Sequence, residues 1–240
     1  MTLPLPIKNR RGAPSKVKAS PNSNLSVLRR AVWEANLAIY RAGLVTMHSG
    51  NASGVDRGSG KVFIKPSGMD YEKLRLADIV AADLEGRRLE GRWKPSVDLP
   101  HHLYIYKHRP EIGGIIHTHS NYATSFALLG RSIPAYLTAI ADEFGEQIPC
   151  VPYVDNQSDH IGEAILQNMG KAPAVLLANH GVFAFGPTPM AALKAAVMLE
   201  DVARTCHLAL LLGKPKPLPA SEVKKWYDRY HSTYGQTVKG

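Results

Sequence analysis

A short apolar segment of the chain ends in two histidines: Ile112-Gly113-Gly114-Ile115-Ile116-His117-Thr118-His119-Ser120. Its isoleucines predict a buried strand over Ile112–Thr118, in the middle of a sheet. Side chains alternate faces along a strand, so His117 and His119 point to the same side. Two imidazoles this close repel each other when protonated, whereas a shared divalent cation binds both in their neutral form. The pair alone fits a metal site and a hydrogen-bonded polar rim about equally well.

A second apolar strand, predicted over Ala174–Asn179, also ends in a histidine. His180 follows it, and Gly181 then permits a tight turn. Three histidines with an open fourth position are typical of a catalytic rather than a structural zinc site. We therefore predict a divalent metal, Zn²⁺ or else Mn²⁺, on His117, His119 and His180. The other seven histidines lack such a placement and are expected on the surface or on helices: His48, His101, His102, His108, His160, His207 and His231.

Strands alternate with helices along the whole chain, which predicts one α/β domain with helices layered against a sheet. Capping residues mark several boundaries, among them Thr188 and Pro189 before the longest helix and Ser158 as an N-cap. Residues 44–60 are rich in Gly, Ser and Asn and are predicted as loop with short strands. Helices are predicted from Ser26 to Gly43, from Asp98 to His108, over 120–129 and 158–169, from Thr188 to Leu212 and from Ser221 to Tyr230. Further strands are predicted over Lys61–Lys65, over 79–84 and 89–93 as a hairpin, and over Val182–Phe185 as a continuation of the strand before it.

Charge and composition limit the classes of protein to consider. The 240 residues carry a net charge of +9, but seven positive charges precede the first acidic residue, Glu34, and the remainder is nearly neutral. Residues 1–24 are predicted to be a basic, disordered tail, and residues 25–240 the folded domain. A nearly neutral body argues against a nucleic-acid-binding protein, and no apolar run reaches the ~20 residues of a membrane span. Cys150 and Cys206 form no Cys-x-x-Cys pair, which favours a reducing compartment, the cytoplasm.

Two turns rich in small residues have the composition of an anion site. Ser49-Gly50-Asn51 and Ile64-Lys65-Pro66-Ser67-Gly68 combine accessible backbone N–H groups with hydroxyls, an amide and an amine. Each turn alone is a weak signal. Ser96 and Asp98 begin the helix that ends at His108, where N-capping is their ordinary role.

Five motifs in this order make the chain similar to the class II aldolase/epimerase family. They are Ser49-Gly50-Asn51-Ala52-Ser53, Ile64-Lys65-Pro66-Ser67-Gly68, Lys94-Pro95-Ser96-Val97-Asp98, His117-Thr118-His119-Ser120 and Asn179-His180-Gly181. The resemblance covers about residues 27–236 and is strongest to the branch of L-ribulose-5-phosphate 4-epimerases. Characteristic of that branch are also Ser132-Ile133-Pro134-Ala135, Ala141-Asp142 and Tyr234-Gly235-Gln236.

The resemblance implies a fold, an assembly and a role for each matching residue. The fold is a single-domain αβα three-layer sandwich with a mainly antiparallel central sheet, and the assembly is a homotetramer with active sites at subunit interfaces. Asp98 would lie near the metal, where the aldolase branch has glutamate. Asp142, reaching in from a neighbouring subunit, and Tyr234 would transfer protons. The phosphate of a phosphorylated ketose would be surrounded by Asn51, Lys65, Ser67, Gly68 and Ser96.

The implied reaction converts L-ribulose 5-phosphate into D-xylulose 5-phosphate. The C3–C4 bond breaks in a retro-aldol step and re-forms on the other face of the aldehyde, while the phosphate contacts retain the fragment. Two positions depart from the epimerase pattern. Val97 replaces a serine, and Trp226 stands where bacterial epimerases carry a histidine, with His231 further along the helix as its candidate replacement. An aldolase acting on fuculose 1-phosphate or a similar ketose phosphate, a sugar-acid-phosphate decarboxylase or dehydratase, and a noncatalytic adducin-like domain remain alternatives.

Overall fold

The computed structural model of the protein describes residues 21–235, in which helices cover both faces of a large sheet. The helices are α1 (Pro21–Arg41), α2 (Leu99–His108), α3 (Asn121–Leu128), α4 (Thr138–Phe144), α5 (His160–Asn168), α6 (Pro189–Leu212) and α7 (Ala220–Ser232). The strands are β1 (Asn51–Asp56), β2 (Lys61–Ile64), β3 (Val80–Ala82), β4 (Arg88–Glu90), β5 (Gly114–Thr118), β6 (Ile133–Pro134), β7 (Gln147–Ile148), β8 (Cys150–Val151), β9 (Ala174–Leu177) and β10 (Gly181–Gly186). Short 3₁₀ turns lie at Tyr71–Lys73 and Leu76–Asp78.

The central sheet has eight strands in the order β4-β3-β2-β1-β5-β10-β9-β8. Neighbouring strands are antiparallel except for β8 and β9, which run parallel. β5 lies in the middle, and its His117 is paired with Asn51 of β1 on one side and with Phe183 of β10 on the other. The predicted central position of the histidine strand and the mainly antiparallel sheet are therefore confirmed.

Alternate side chains of each strand belong to two separate hydrophobic cores. Ile116 and Val182 face a core shared with α1, α3, α4, α6 and α7, whereas Ile115 and Phe183 face a core shared with α2 and α5. A shift of β5 by one residue would exchange its two faces, and each apolar side chain moved out of a core would lose about 1.5–3 kcal/mol. This register fixes His117 on the face that carries α2. The αβα three-layer sandwich is thereby confirmed.

Asn36 fixes α1 against β1, the strand that begins with Asn51. Its buried amide accepts the Ala52 N–H at 2.8 Å and donates to the Ala52 carbonyl at 3.0 Å. A buried amide satisfied in this way holds the two elements in one relative position, because either lost bond leaves an unpaired polar group. The helix thus determines where the first residue of β1 lies.

Most predicted elements are present, and the longest helix agrees with its predicted cap. Thr188 accepts the Ala191 N–H at 3.2 Å, and α6 ends before Gly213. The predicted hairpin forms as the pair β3 and β4. Within residues 21–235, no helix is both long and apolar enough to cross a membrane.

Several boundaries differ from the predictions. α1 begins at Pro21 rather than near Ser26, so the last residues of the predicted tail are helical, and residues 1–20 lie outside the described part of the chain. Ser158 does not cap α5, because the N-cap residue is Asp159; Ser158 precedes it in a left-handed conformation with a φ of 51°. The segment after His180 does not continue β9 but folds back as β10, antiparallel to it. The short elements α4, β6, β7 and β8 were not predicted.

Candidate metal centre and substrate site

Three histidines converge at the end of the central sheet. His117 is the fourth residue of β5, His119 follows that strand, and His180 lies in the turn between β9 and β10. The Nε2 atoms of His117 and His119 are 3.0 Å apart, and one nitrogen from each of the three rings lies within 4.8 Å of the others. Nitrogens bound at about 2.0–2.1 Å to one tetrahedral ion are separated by a similar distance, about 3.3 Å. The three predicted ligands are thus close enough to hold one ion.

Hydrogen bonding and burial keep these imidazoles in the form that binds a metal. His117 Nδ1 donates to the Val182 carbonyl at 2.9 Å, so the proton of the neutral ring is on Nδ1 and the Nε2 lone pair is free. Burial lowers the pKa of His117 to about 4. Partial burial also lowers the pKa of His119 and His180, so all three rings are neutral near pH 7. The donor set therefore fits a divalent ion such as Zn²⁺.

The turn that presents His180 depends on two residues with special backbone requirements. Asn179 has a φ of 58°, a left-handed conformation that asparagine tolerates, and the His180 N–H closes the turn on the Leu177 carbonyl at 3.0 Å. A Cβ on Gly181 would lie 2.5 Å from the Thr118 carbonyl oxygen and 2.7 Å from the His119 ring. Glycine is therefore required for the β9–β10 turn to approach the two histidines of β5.

Asp98 faces the histidines instead of capping α2. It occupies the N-cap position, but its side chain makes no capping hydrogen bond. Its Oδ2 accepts from Asn51 Nδ2 at 2.6 Å and from Ser96 Oγ at 3.3 Å. Burial raises the pKa of Asp98, but the neighbouring His117, His102 and His101 outweigh that effect and leave its pKa below the ordinary value. The predicted capping role is thus wrong for Asp98, which is an ionised carboxylate beside the predicted metal ligands. Asp98 and the three histidines, His117, His119 and His180, are together called the histidine site.

The two predicted phosphate turns meet beside this carboxylate. Pro66 and Pro95 form an antiparallel bridge, Ser67 N–H donates to the Lys94 carbonyl at 3.0 Å, and Ser96 N–H donates to the Lys65 carbonyl at 3.0 Å. The Asn51 amide donates to Ser96 Oγ at 3.1 Å, which links the first motif to the third. Ser67 and Gly68 are exposed at the tip of this turn, where Gly68 has a φ of 63°. All five predicted phosphate contacts therefore lie on connected turns.

Lys65 is the cationic member of that group. Its side chain is buried, and its Nζ donates to the His48 carbonyl at 3.0 Å and lies 4.7 Å from the centre of the Tyr71 ring. Burial lowers the pKa of Lys65 to about 8, against the opposing effect of Asp70 and Asp98. A charged amine held in a partly dry site attracts an anion more strongly than a solvated one. The ammonium group is thus suited to binding a phosphate.

Asp142 and Tyr234 lie elsewhere on the chain. Asp142 is on α4, in the helical layer on the other face of the sheet, and its Oδ2 is 4.0 Å from Arg229 Nη2 of α7. The Arg229 guanidinium lies 5.1 Å from the centre of the exposed Tyr234 ring and 4.9 Å from that of Trp226. These four residues are called the α4–α7 patch. The structure groups the two predicted proton-transfer residues together, but apart from the histidine site.

Sequence reasoning missed two further groups near the histidines. His101 and His102 were expected on the surface or on helices; they are on α2 but are buried, and burial lowers the pKa of His102 to about 3. His102 Nδ1 and the Ser53 hydroxyl are 2.7 Å apart, which ties α2 to β1. The spacing of four residues between Asp98 and His102, about one helical turn, indicates that His102 lies on the same face of the helix as Asp98. Glu200 of α6 had no such signal, yet its carboxylate accepts the N–H groups of Tyr122 and Ala123 at the start of α3, directly after His119.

The chain is similar to a known protein family and to several known proteins. A family model described as class II aldolase and adducin N-terminal domain matches residues 30–207. The L-ribulose-5-phosphate 4-epimerase UlaF of Salmonella paratyphi B is 36% identical over 224 residues, which cover 87% of this chain and 98% of the relative. The protein of the same name from Salmonella typhi is 38% identical with the same coverage. A solved L-fuculose 1-phosphate aldolase has a TM-score of 0.78 and 28% identity over 89% of this chain and 98% of its own. The chain therefore belongs to the class II aldolase family.

Proposed function

We propose that the chain is a metal-dependent epimerase that converts L-ribulose 5-phosphate into D-xylulose 5-phosphate. The observation that carries the proposal is the pairing of three convergent imidazoles with the Asp98 carboxylate, itself bonded to Asn51 at 2.6 Å. The relatives named L-ribulose-5-phosphate 4-epimerase, at 36–38% identity over 87% of the chain, support this substrate. Aspartate at position 98, where the aldolase branch has glutamate, favours the epimerase.

His117, His119 and His180 would hold the metal, which we infer to be Zn²⁺ because three imidazoles with an open position are typical of catalytic zinc. A divalent ion bound there would supply Lewis-acid polarisation of the substrate carbonyl. Because His117 Nδ1 donates to the Val182 carbonyl, its Nε2 would be the nitrogen that binds the ion.

Substrate retention would fall to the connected phosphate turns. The Lys65 ammonium supplies the charge, Ser67 and Ser96 supply hydroxyls and Gly68 a backbone N–H, while Asn51 holds Ser96 and Asp98 in place through its amide. After C3–C4 cleavage the phosphate belongs to glycolaldehyde phosphate, so these contacts hold the fragment while its aldehyde turns to present the other face. Loss of this fragment between the two steps would turn an epimerase into an aldolase.

Proton transfer would fall to Asp142 and Tyr234. One group removes the proton of the C4 hydroxyl as the C3–C4 electron pair leaves for the ketose fragment, and the other returns a proton to the C4 oxygen after the bond re-forms. In one chain, α4 lies in the helical layer opposite the face that carries His117. The predicted homotetramer resolves this separation, because a neighbouring subunit can bring its α4–α7 patch to the histidine site.

An aldolase acting on a ketose 1-phosphate is the second candidate. The TM-score of 0.78 to an L-fuculose 1-phosphate aldolase over 89% of the chain favours it. The two reactions share the cleavage step and differ in whether the aldehyde is released. Measuring free aldehyde together with the epimerised ketose therefore separates them.

The first test incubates metal-loaded protein with L-ribulose 5-phosphate and follows D-xylulose 5-phosphate in a coupled assay, with a chelator-treated control. We expect turnover that the chelator abolishes and added Zn²⁺ or Mn²⁺ restores. Cleavage without epimerisation would favour the aldolase, and no turnover by protein with bound metal would exclude L-ribulose 5-phosphate as the substrate.

A further inference from the structure

Arg229 lies between the two residues to which proton transfer is assigned. Its Nη2 is 4.0 Å from Asp142 Oδ2, and its guanidinium carbon is 5.1 Å from the centre of the Tyr234 ring. Asp142 is on α4 and Tyr234 follows α7, so they come from separate parts of the sequence. The Arg229 side chain therefore contacts both residues.

The Asp142 carboxylate needs a nearby positive charge. Its side chain is only 18% exposed, and its Oδ1 is buried without a hydrogen-bond partner among residues 21–235. A carboxylate in such a place is costly unless an opposite charge compensates. Arg229 supplies that charge through an ion pair of 4.0 Å between its Nη2 and Asp142 Oδ2.

Tyr234 needs a contact that gives it one orientation. It is 61% exposed, so burial does little to order its ring. The Arg229 guanidinium lies against the rings of both Trp226 and Tyr234. The ring of Tyr230 stacks on that of Tyr234, with 4.9 Å between the ring centres. The Tyr234 N–H also donates to the Arg229 carbonyl at 3.1 Å. Side chain and backbone of Arg229 both hold this residue.

The position of Arg229 is itself fixed by the docking of α7 on the body of the protein. Within α7, Trp226 Nε1 donates to Glu222 at 3.0 Å, and it is the Trp226 ring that packs partly against the core of the protein. Beneath the patch, Lys194 of α6 pairs with the buried Glu143 of α4 at 2.7 Å and lies 4.7 Å from the Tyr230 ring. α4, α6 and α7 thus form one support for the arginine.

We propose that Arg229 is a positioning residue, which orients Asp142 and Tyr234 relative to each other for proton transfer at C4. The proposal rests on the proposed function and assigns a role to a residue that no motif of the sequence singled out. Arg229 itself acts through its two neighbours. Its loss should therefore slow turnover more than it weakens substrate binding.

The test compares Arg229→Gln, Arg229→Lys and a matched control, Lys225→Gln, using L-ribulose 5-phosphate. Lys225 is on the same helix and lies 4.7 Å from the same Trp226 ring, so its replacement removes a positive charge and an aromatic contact of the same kind. We expect Arg229→Gln to lower kcat about tenfold with KM changed less than about twofold, because a misplaced acid–base pair loses part of a 10²–10⁴-fold contribution. Arg229→Lys, which retains the charge, should recover part of kcat, and Lys225→Gln should match the parent.

The metal content of each variant should be unchanged, because the histidine site lies apart from the patch. Thermal unfolding of each variant shows whether the fold is intact. A normal kcat in Arg229→Gln, a defect confined to KM, or no recovery in Arg229→Lys would each overturn the proposal. If the unmutated protein is active and Arg229→Gln is unimpaired, the role of Arg229 is rejected while the proposed function stands. A metal-loaded parent that does not turn over L-ribulose 5-phosphate would reject the proposed function and the Arg229 role with it.

Discussion

The histidine site and the α4–α7 patch are held in different ways. His117 is buried near the end of the middle strand of the sheet, and its Nδ1 donates to a backbone carbonyl. Asp98 is held by a hydrogen bond of 2.6 Å from the Asn51 amide. In the patch, Tyr234 is 61% exposed, and the contact between Arg229 and Asp142 spans 4.0 Å. Strand register and buried hydrogen bonds define the first region, whereas exposed stacking contacts define the second.

Under the proposed function, this difference would separate the metal chemistry that one chain can assemble from the proton transfer assigned to a neighbouring subunit. A metal requires ligands within a few tenths of an ångström of their places, which a buried strand end provides. In the patch, Tyr234 is 61% exposed, whereas the side chain of Asp142 is only 18% exposed. We therefore expect damage to the two regions to give different phenotypes.

The largest effect should follow His119→Ala. His119 is exposed at the mouth of the site, so its removal should leave the fold intact while depriving the metal of a ligand. Loss of Lewis-acid stabilisation, worth several kcal/mol, should lower turnover by about 10³-fold or more. Elemental analysis and the coupled assay check both expectations.

His108→Ala is the matched control, because His108 is an exposed histidine on α2 whose ring nitrogen faces the Tyr104 carbonyl at 2.8 Å. It should retain metal and activity. If His119→Ala also retains both, the ligand set is misassigned and the histidine site loses its distinction from the patch.

A large loss of kcat with full metal content should follow Asp142→Asn. The substitution keeps the shape of the side chain but removes the proton acceptor, so kcat should fall about 10²–10⁴-fold. Asp228→Asn is its control, because Asp228 on α7 pairs with Lys224 in the solvent. Epimerisation by Asp142→Asn at the parental rate would end its assignment as an acid–base group.

Mixing the two inactive variants shows whether the regions meet across a subunit interface. If subunits of a His119→Ala protein and of an Asp142→Asn protein are exchanged, about a quarter of the interface sites in a random mixture combine two intact halves. Activity should then rise well above that of either variant alone, towards about a quarter of the activity of the unmutated protein. Mixed oligomers that form but stay inactive would show that each site is built within one chain.

Sequence patterns revealed the histidine site because its signals are local. Alternation along β5 placed His117 and His119 on one side, and the glycine after His180 indicated the turn that brings it to them. Sequence patterns do not predict the features of the fold that depend on tertiary contacts. The apolar pattern of both segments predicts that β10 continues β9, whereas the chain reverses between them with Asn179 in a left-handed conformation.

The α4–α7 patch illustrates what local patterns omit. α4 has seven residues and β6 and β7 have two each, too short for periodicity to register. The motif around Asp142 was recognised by resemblance, but the arginine beside it was not, because Arg229 lies 87 positions further along the chain. A contact of this kind follows only from the packing of α7 on α4.

The smallest effect should be a pH dependence of substrate binding through Lys65. Burial lowers the pKa of Lys65 to about 8, so its ammonium is charged below that pH and neutral above it. A phosphate monoester is already doubly ionised above about pH 7, so the substrate itself does not change. We expect KM for L-ribulose 5-phosphate to rise roughly three- to tenfold between about pH 7 and about pH 9, as a charged hydrogen bond is lost. Initial rates across this range, at saturating and limiting substrate, measure the change.

Lys65→Met identifies the group responsible and sharpens the contrast between the regions. Methionine fills similar space without a charge, so its KM should be high at every pH and the alkaline rise should disappear. Lys73→Gln, at an exposed lysine paired with Asp70 at 2.9 Å, should keep both the parental KM and its rise. A rise that persists in Lys65→Met would point to another titrating group.

Because Lys65 adjoins the histidine site and not the patch, Arg229→Gln should leave this alkaline rise of KM in place even as it lowers kcat.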